Sequence, residues 1–205
     1  MSHEKSQSTQ AHLQALPILN EQQRQELLRL ARQAITEKVT NRSSVPTGKD
    51  NQPFDENAAV FVTLWQRGSS NSPFEDDKRL RGCIGRLQPD LPLDTAVKYA
   101  AVSAATRDPR FVAVQPYEVD SLMIEIAILS PLEEINSLDE VVIGRDGLVI
   151  EAMGRRGLLL PKVATRLNWD KKEFLRNVCL KAGLPEDIWP GDGKLYKFST
   201  EVFHD

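Results

Sequence analysis

The segment Leu122-Met123-Ile124-Glu125-Ile126-Ala127-Ile128-Leu129 restricts the fold more than any other part of the chain. Successive side chains of a β-strand point to opposite faces, and here both alternating sets are apolar apart from Glu125. A strand of that kind needs cover on each side. The pattern therefore predicts a central strand from Ser121 to Leu129. Glu125 is its one charge. A lone buried carboxylate is too costly, so Glu125 must be paired, protonated or set at a solvent-lined cleft. It is a candidate general base, or the ion-pair partner of Arg81 or Arg110, and pairing is the commoner use of such a residue.

The other elements fit around that strand. Met1 to Ala15 is polar, rich in Ser and Gln, and reads as a disordered tail ahead of a single domain over residues 16–205. Asn20 and Gln23 have the spacing of a reciprocal helix cap, and Leu27, Leu30, Ala31, Ala34 and Ile35 behind them predict a helix to about Val39. Loop residues fill Thr40 to Asn57. Strands are expected at Ala58 to Trp65 and Arg79 to Leu87, joined as a hairpin with a long tip from Gly68 to Asp77. The small apolar positions Ala96, Val97, Ala100, Ala101, Ala104 and Ala105 predict a helix that stops at Asp108-Pro109. Val141 to Leu160 reads as a meander turning at Asp146-Gly147 and again at Gly154 to Gly157. Asp170 and Glu173 cap a last helix that ends at Gly183, and Leu195 to Phe198 suggests a closing strand. Strands and helices alternate without a βαβ rhythm. The fold class is therefore α+β: a mixed, mostly antiparallel sheet with flanking helices on one side.

Composition narrows the functional classes. The net charge of −3 argues against a generally basic nucleic-acid binder. Cys83 and Cys179 are the two cysteines, with no CxxC pair and no Cys/His cluster, so neither a metal site nor a cofactor is expected. There is no basic, apolar leader at the amino terminus and no apolar run of membrane-spanning length. A cytoplasmic setting with both thiols free is the expectation.

Leu80-Arg81-Gly82-Cys83-Ile84-Gly85 is the most informative hexapeptide. Glycines on both sides of a thiol remove side chains and let a ligand or another backbone come close. On a regular strand Arg81 and Cys83 share a face, where the guanidinium would favour a thiolate or grip a carboxylate or phosphate. The competing reading makes Cys83 a small buried hydrophobe and the glycines a bulge. Arg107, Asp108 and Arg110 crowd a helix end. Arg110 could join Arg81 as an anion clamp oriented by Asp108, or Asp108 and an arginine could simply hold the loop. Arg155, Arg156, Lys162, Arg166, Lys171 and Lys172 concentrate positive charge around Trp169. In an acidic protein that pattern fits a solvated face better than a nucleic-acid surface.

The hexapeptide resembles the signature of the AMMECR-domain family, and other matching motifs follow in order. They are Arg107-Asp108-Pro109-Arg110-Phe111, Ile124-Glu125-Ile126 with Leu129-Ser130-Pro131, Gly157-Leu158-Leu159-Leu160-Pro161, Trp169-Asp170, and Cys179 with Lys181-Ala182-Gly183-Leu184. The resemblance spans about Leu27 to Phe203. It implies two unequal lobes with a cleft between them and a functionally important Arg-Gly-Cys segment. It also implies association with Memo-like and radical-SAM proteins in RNA, nucleotide or small-molecule modification. Relatives often carry a histidine at the Ile143-Gly144 turn, where this chain has Asp146. Its histidines are His3, His12 and His204, so no internal imidazole is available to activate a thiol.

Two functions fit these residues. One is a binding or scaffold module whose cleft holds an anionic small molecule or RNA through Arg81, Arg110 and the backbone near Gly82 and Gly85, with Arg107 and Asp108 beside them. The other is an enzyme subunit in which Cys83 is a nucleophile or thiol carrier and Glu125 moves a proton.

Overall fold

The computed structural model describes residues 16, 19–42, 54–67 and 78–205. The expected tail, most of the 40–57 loop and the Gly68 to Asp77 tip lie outside them. Helix α1 spans Glu21–Thr40, and its cap is the reciprocal one: Gln23 N–H donates to Asn20 Oδ1 while Asn20 N–H donates to Gln23 Oε1, each at 2.9 Å. Strands β1 (Ala59–Arg67) and β2 (Lys78–Arg86) pair antiparallel. Helix α2 (Leu93–Thr106) follows Pro92 and stops ahead of Asp108-Pro109. Next come β3 (Leu122–Leu129), β4 (Glu133–Ile135), β5 (Asp146–Ala152), β6 (Arg155–Leu159), α3 (Pro161–Arg166), α4 (Lys171–Ala182) and β7 (Lys194–His204). Asp170 and Glu173 cap α4 reciprocally, and Gly183 closes it in the left-handed conformation, φ 67°.

All seven strands form one sheet in the order β2-β1-β3-β7-β5-β6, with β4 also on β7. Every pairing is antiparallel. The closing strand is longer than its Leu195 to Phe198 core because it joins the two halves. Residues 194–199 pair with β5 and 200–204 with β3.

The meander turns elsewhere than its glycines suggest. Asp146 and Gly147 begin β5 instead of forming the first turn. Buried Asp146 accepts from Val142 N–H at 2.8 Å and from the Arg145 guanidinium, and Gly147 makes room for the Phe198 ring. The second turn is Met153-Gly154, both at positive φ, while Gly157 lies inside β6 against the Val178 carbonyl of α4.

The helices share one side of the sheet. Val60, Val62 and Leu64 of β1 and Ile124, Ile126 and Ile128 of β3 pack under α1 and α2 in the larger cluster. Leu148, Ile150 and Leu195 pack with Phe174, Val178 and Cys179 of α4 and Ala164 of α3 in the smaller one. On the opposite side the sheet curls, bringing Ala59 and Leu129 against Val149, Leu158 and Phe198. Two unequal lobes thus share one curved sheet. Strand β3 is covered on both faces except where Glu125 looks into the concave side.

Candidate functional site

Strand register places four chemistry-bearing residues in one row on that concave face. Cys83 is paired with Thr63, Thr63 with Glu125, and Glu125 with His204. Directly paired residues project to the same side of a sheet. Thr63 Oγ1 lies 3.3 Å from Cys83 Sγ, and the thiol is half-buried. His204 stands three strands from Cys83, roughly 14 Å at the usual strand spacing, too far to serve as its base.

Neither neighbouring glycine opens toward a ligand. A Cβ on Gly82 would collide with the Ala104 carbonyl of α2, and one on Gly85 would collide with the Phe61 ring. Both let the protein's own atoms approach, so the close contact expected at Gly82 and Gly85 is internal.

Arg81 and Cys83 do not act from one face. The register slips at Leu64/Trp65, so Leu80 meets Trp65 and Gly82 meets Leu64, leaving Arg81 as the extra residue of a bulge. Its guanidinium grips Glu118 with two parallel bonds of 2.9 and 3.0 Å and donates to the Val112 carbonyl at 2.8 Å. Arg81 is only 9% exposed, and its hydrogen bonds hold the Glu118 carboxyl below its ordinary pKa. This arginine fastens the 107–121 segment to β2. It is not open to an external anion.

Asp108 organises the edge of β2. The outward Cys83 N–H donates to Asp108 Oδ2 at 2.8 Å. The same carboxylate accepts from Arg110 through its backbone N–H (3.1 Å), Nε (2.9 Å) and a terminal nitrogen (2.7 Å). Chiefly because of Arg110, the buried Asp108 carboxyl falls to a pKa of about 2. The guanidinium is therefore held at the Cys83 edge of β2 while the Arg110 side chain stays 55% exposed. Phe111 supports it, with the ring centre 5.4 Å from Arg110 Cζ. Arg107 contributes differently: its N–H closes α2 on the Ser103 carbonyl at 2.7 Å, and its side chain is exposed.

Glu125 pairs with Lys162 of α3, not with Arg81 or Arg110. The same ammonium lies 5.6 Å from the centre of the Trp65 ring, a cation–π distance. Trp65 Nε1 is buried without a hydrogen-bond partner among the described residues.

The residue that sequence reading missed is Lys181. It keeps an exposed surface in the last turn of α4, yet loss of surrounding water lowers its pKa from the ordinary 10.5. Cys83 favours its charge and Arg110 opposes it, so the curl brings α4 within electrostatic reach of β2. Helical periodicity gives Lys181 no distinction from any solvated lysine. The other basic residues disperse. Arg156 pairs with Glu151, Lys171 donates to the Asp139 carbonyl, and Trp169 packs on the smaller core. Among the described residues no group of three His, Cys, Asp or Glu side chains could hold a metal, and no helix is long and apolar enough to cross a membrane.

The site is thus a half-buried thiol on a concave sheet, with Arg110 held at the same strand edge, Lys181 within electrostatic reach and the Lys162–Glu125 pair along the row. Residues 28–203 match the AMMECR1 family model. A protein of Thermofilum pendens is 40% identical over 185 residues, covering 86% of this chain and 87% of the relative. Protein MJ0810 of Methanocaldococcus jannaschii is 48% identical over 159 residues, with 74% and 75% covered. The crystal structure of uncharacterized protein PH0010 from Pyrococcus horikoshii superposes with a TM-score of 0.78 at 41% identity, covering 88% of this chain and 90% of that one. The chain belongs to the AMMECR1 family.

Proposed function

We propose that the concave face around Cys83 is an anion-binding site and that the protein works as a binding module built on it. The observation that carries this reading is the Asp108 carboxylate, which ties the Cys83 backbone and the Arg110 guanidinium into one rigid unit. A guanidinium held in place loses little entropy when it meets a carboxylate or phosphate. Lys181 adds a second cation. Counting Lys162 and the two carboxylates Asp108 and Glu125, the site carries one surplus positive charge while Lys181 is protonated. Arg81, engaged by Glu118, supports the site from behind.

A second reading rests on Cys83 itself. The thiol is half-buried beside the Thr63 hydroxyl, and Lys181 has a weakened hold on its proton. That combination suits a thiol nucleophile in an enzyme subunit acting on an anionic substrate. Replacing Cys83 by Ser separates the two readings, since a binding module keeps its anion affinity and a thiol enzyme loses turnover.

The test is a titration with inorganic phosphate and with acetate, followed by backbone amide shifts. Arg110→Gln and Lys181→Gln are each expected to weaken binding about tenfold, the scale of one charge-assisted hydrogen bond. Arg81→Lys is expected to leave affinity within about twofold while lowering stability. Unchanged affinity in Arg110→Gln would sink the proposal.

A further inference from the structure

The concave face has a hollow away from the Cys83 row. Ala59 and Leu129, opposite one another on β1 and β3, join Leu87 and Leu132 around a cavity of about 320 Å³ that Glu56 and Arg156 also line. Phe61, paired with Gly85 and filling the space above it, lies between this cavity and Cys83. Thr63 lies four positions along β1 from Ala59, roughly 13 Å of strand. The cavity and the Cys83 row are different sites.

The walls decide what fits. Leu87, Leu129, Leu132 and Ala59 offer an apolar floor. Arg156 crosses the curl from β6 on the same face as Glu151, whose carboxylate holds its Nε at 2.7 Å. A guanidinium has five N–H donors, so that ion pair steadies the group and leaves donors to offer. Glu56 is exposed and forms no ion pair among the described residues. A purely apolar guest would strip water from both charges without replacing it, and a simple carboxylate would leave Glu56 opposed. A guest with both charges answers each. The volume sits at the small end of ligand cavities, which start near 300 Å³, so a single compact molecule is the right size and a nucleotide or folded peptide is not.

We infer that this cavity binds a small zwitterion with an apolar tail, of the α-amino-acid class. The carboxylate meets Arg156, the ammonium meets Glu56, and the tail lies on Leu87, Leu129 and Leu132. The site owes nothing to Cys83, so it stands or falls apart from the anion-binding reading.

Three probes on the full chain test it: L-phenylalanine, 3-phenylpropionate without the ammonium, and phenethylamine without the carboxylate. Backbone amide shifts locate the binding. L-Phenylalanine is expected to shift residues 56–59, 87–89 and 129–132 saturably and to leave Cys83 unmoved. Each truncated probe should bind at least about fivefold more weakly, as loss of one charge-assisted contact implies. Arg156→Gln should bring L-phenylalanine down to the affinity of phenethylamine, and Glu56→Gln to that of 3-phenylpropionate. Both substitutions lie at the surface, so unchanged thermal unfolding will show that the fold is intact. Two results would overturn the inference: no saturable shift with L-phenylalanine at about 10 mM, well above the weakest useful affinity, or three probes binding alike and indifferent to both substitutions.

Discussion

Replacing Asp108 by Asn removes one charge from the most heavily bonded carboxylate of the site and keeps its shape. In the folded protein this carboxyl has a pKa of about 2, against an ordinary 3.8, with Arg110 the first cause. A shift of that size favours folding of the ionised form by roughly 2 kcal/mol at neutral pH. The folded pKa is depressed, so the contribution is complete above the unfolded value near 3.8 and disappears as pH falls through about 2. The substituted side chain can still accept from the Cys83 N–H through its carbonyl oxygen, but it then turns its NH₂ group toward the arginine or forfeits that contact. The assay is urea unfolding of both proteins at pH 7 and at steps down to pH 2. Asp108→Asn should lose about 2 kcal/mol at pH 7, near 1 M in midpoint for a domain of ordinary urea sensitivity. The gap should close between about pH 4 and pH 2. Equal stability at pH 7, or a gap that persists at pH 2, would refute the assignment of Asp108 as the charged anchor of this edge.

Other outcomes follow from neighbouring contacts. Arg81→Ala leaves Glu118 half-buried and unpaired, and should cost about 3 kcal/mol by denaturant unfolding, partly recovered when Glu118 is also made Gln. Gly82→Ala drives a methyl into the Ala104 carbonyl and should cost about 2 kcal/mol or more, with α2 amides exchanging faster. Because the Lys181 pKa is lowered, phosphate affinity should fall at a pH below the ordinary lysine value of 10.5. Lys181→Arg should move that loss upward, as a pH series of phosphate titrations would read. Cys179, buried with its pKa raised by burial, should resist alkylation until the protein unfolds.

Local rules carry much of the fold. The reciprocal caps at Asn20 and Asp170 need only residues three apart, the alanine-rich run needs only helical spacing, and the doubly apolar strand from Leu122 to Leu129 announces its central place. What stays hidden depends on partners distant in sequence. Strand β7 extends to His204 because β3 receives it, although Thr200, Glu201 and His204 show no strong apolar alternation. Strand β4 is three residues long and exists as a rung on β7. Gly147 and Gly157 have the look of turn residues, yet they make room for Phe198 and for α4.

The site divides the same way. Cys83, Asp108 and Arg110 stand out as residue types in unusual company, and the structure brings them into contact. Two-residue alternation puts Arg81 on the wrong face, because a bulge breaks that alternation between Arg81 and Cys83. Glu125 requires a partner by elementary electrostatics, but only the curl of the sheet selects Lys162 over an arginine. Lys181 comes within electrostatic reach of Cys83 across that same curl.

The most direct test of the anion site is the rate of Cys83 alkylation by iodoacetamide at neutral pH, with and without inorganic phosphate, using Cys179 as an internal control. The anion-binding account predicts that phosphate slows modification of Cys83, that the protection is largely lost in Arg110→Gln, and that Cys179 stays unmodified throughout. Phosphate without effect on Cys83, or protection that survives unchanged in Arg110→Gln, would contradict it.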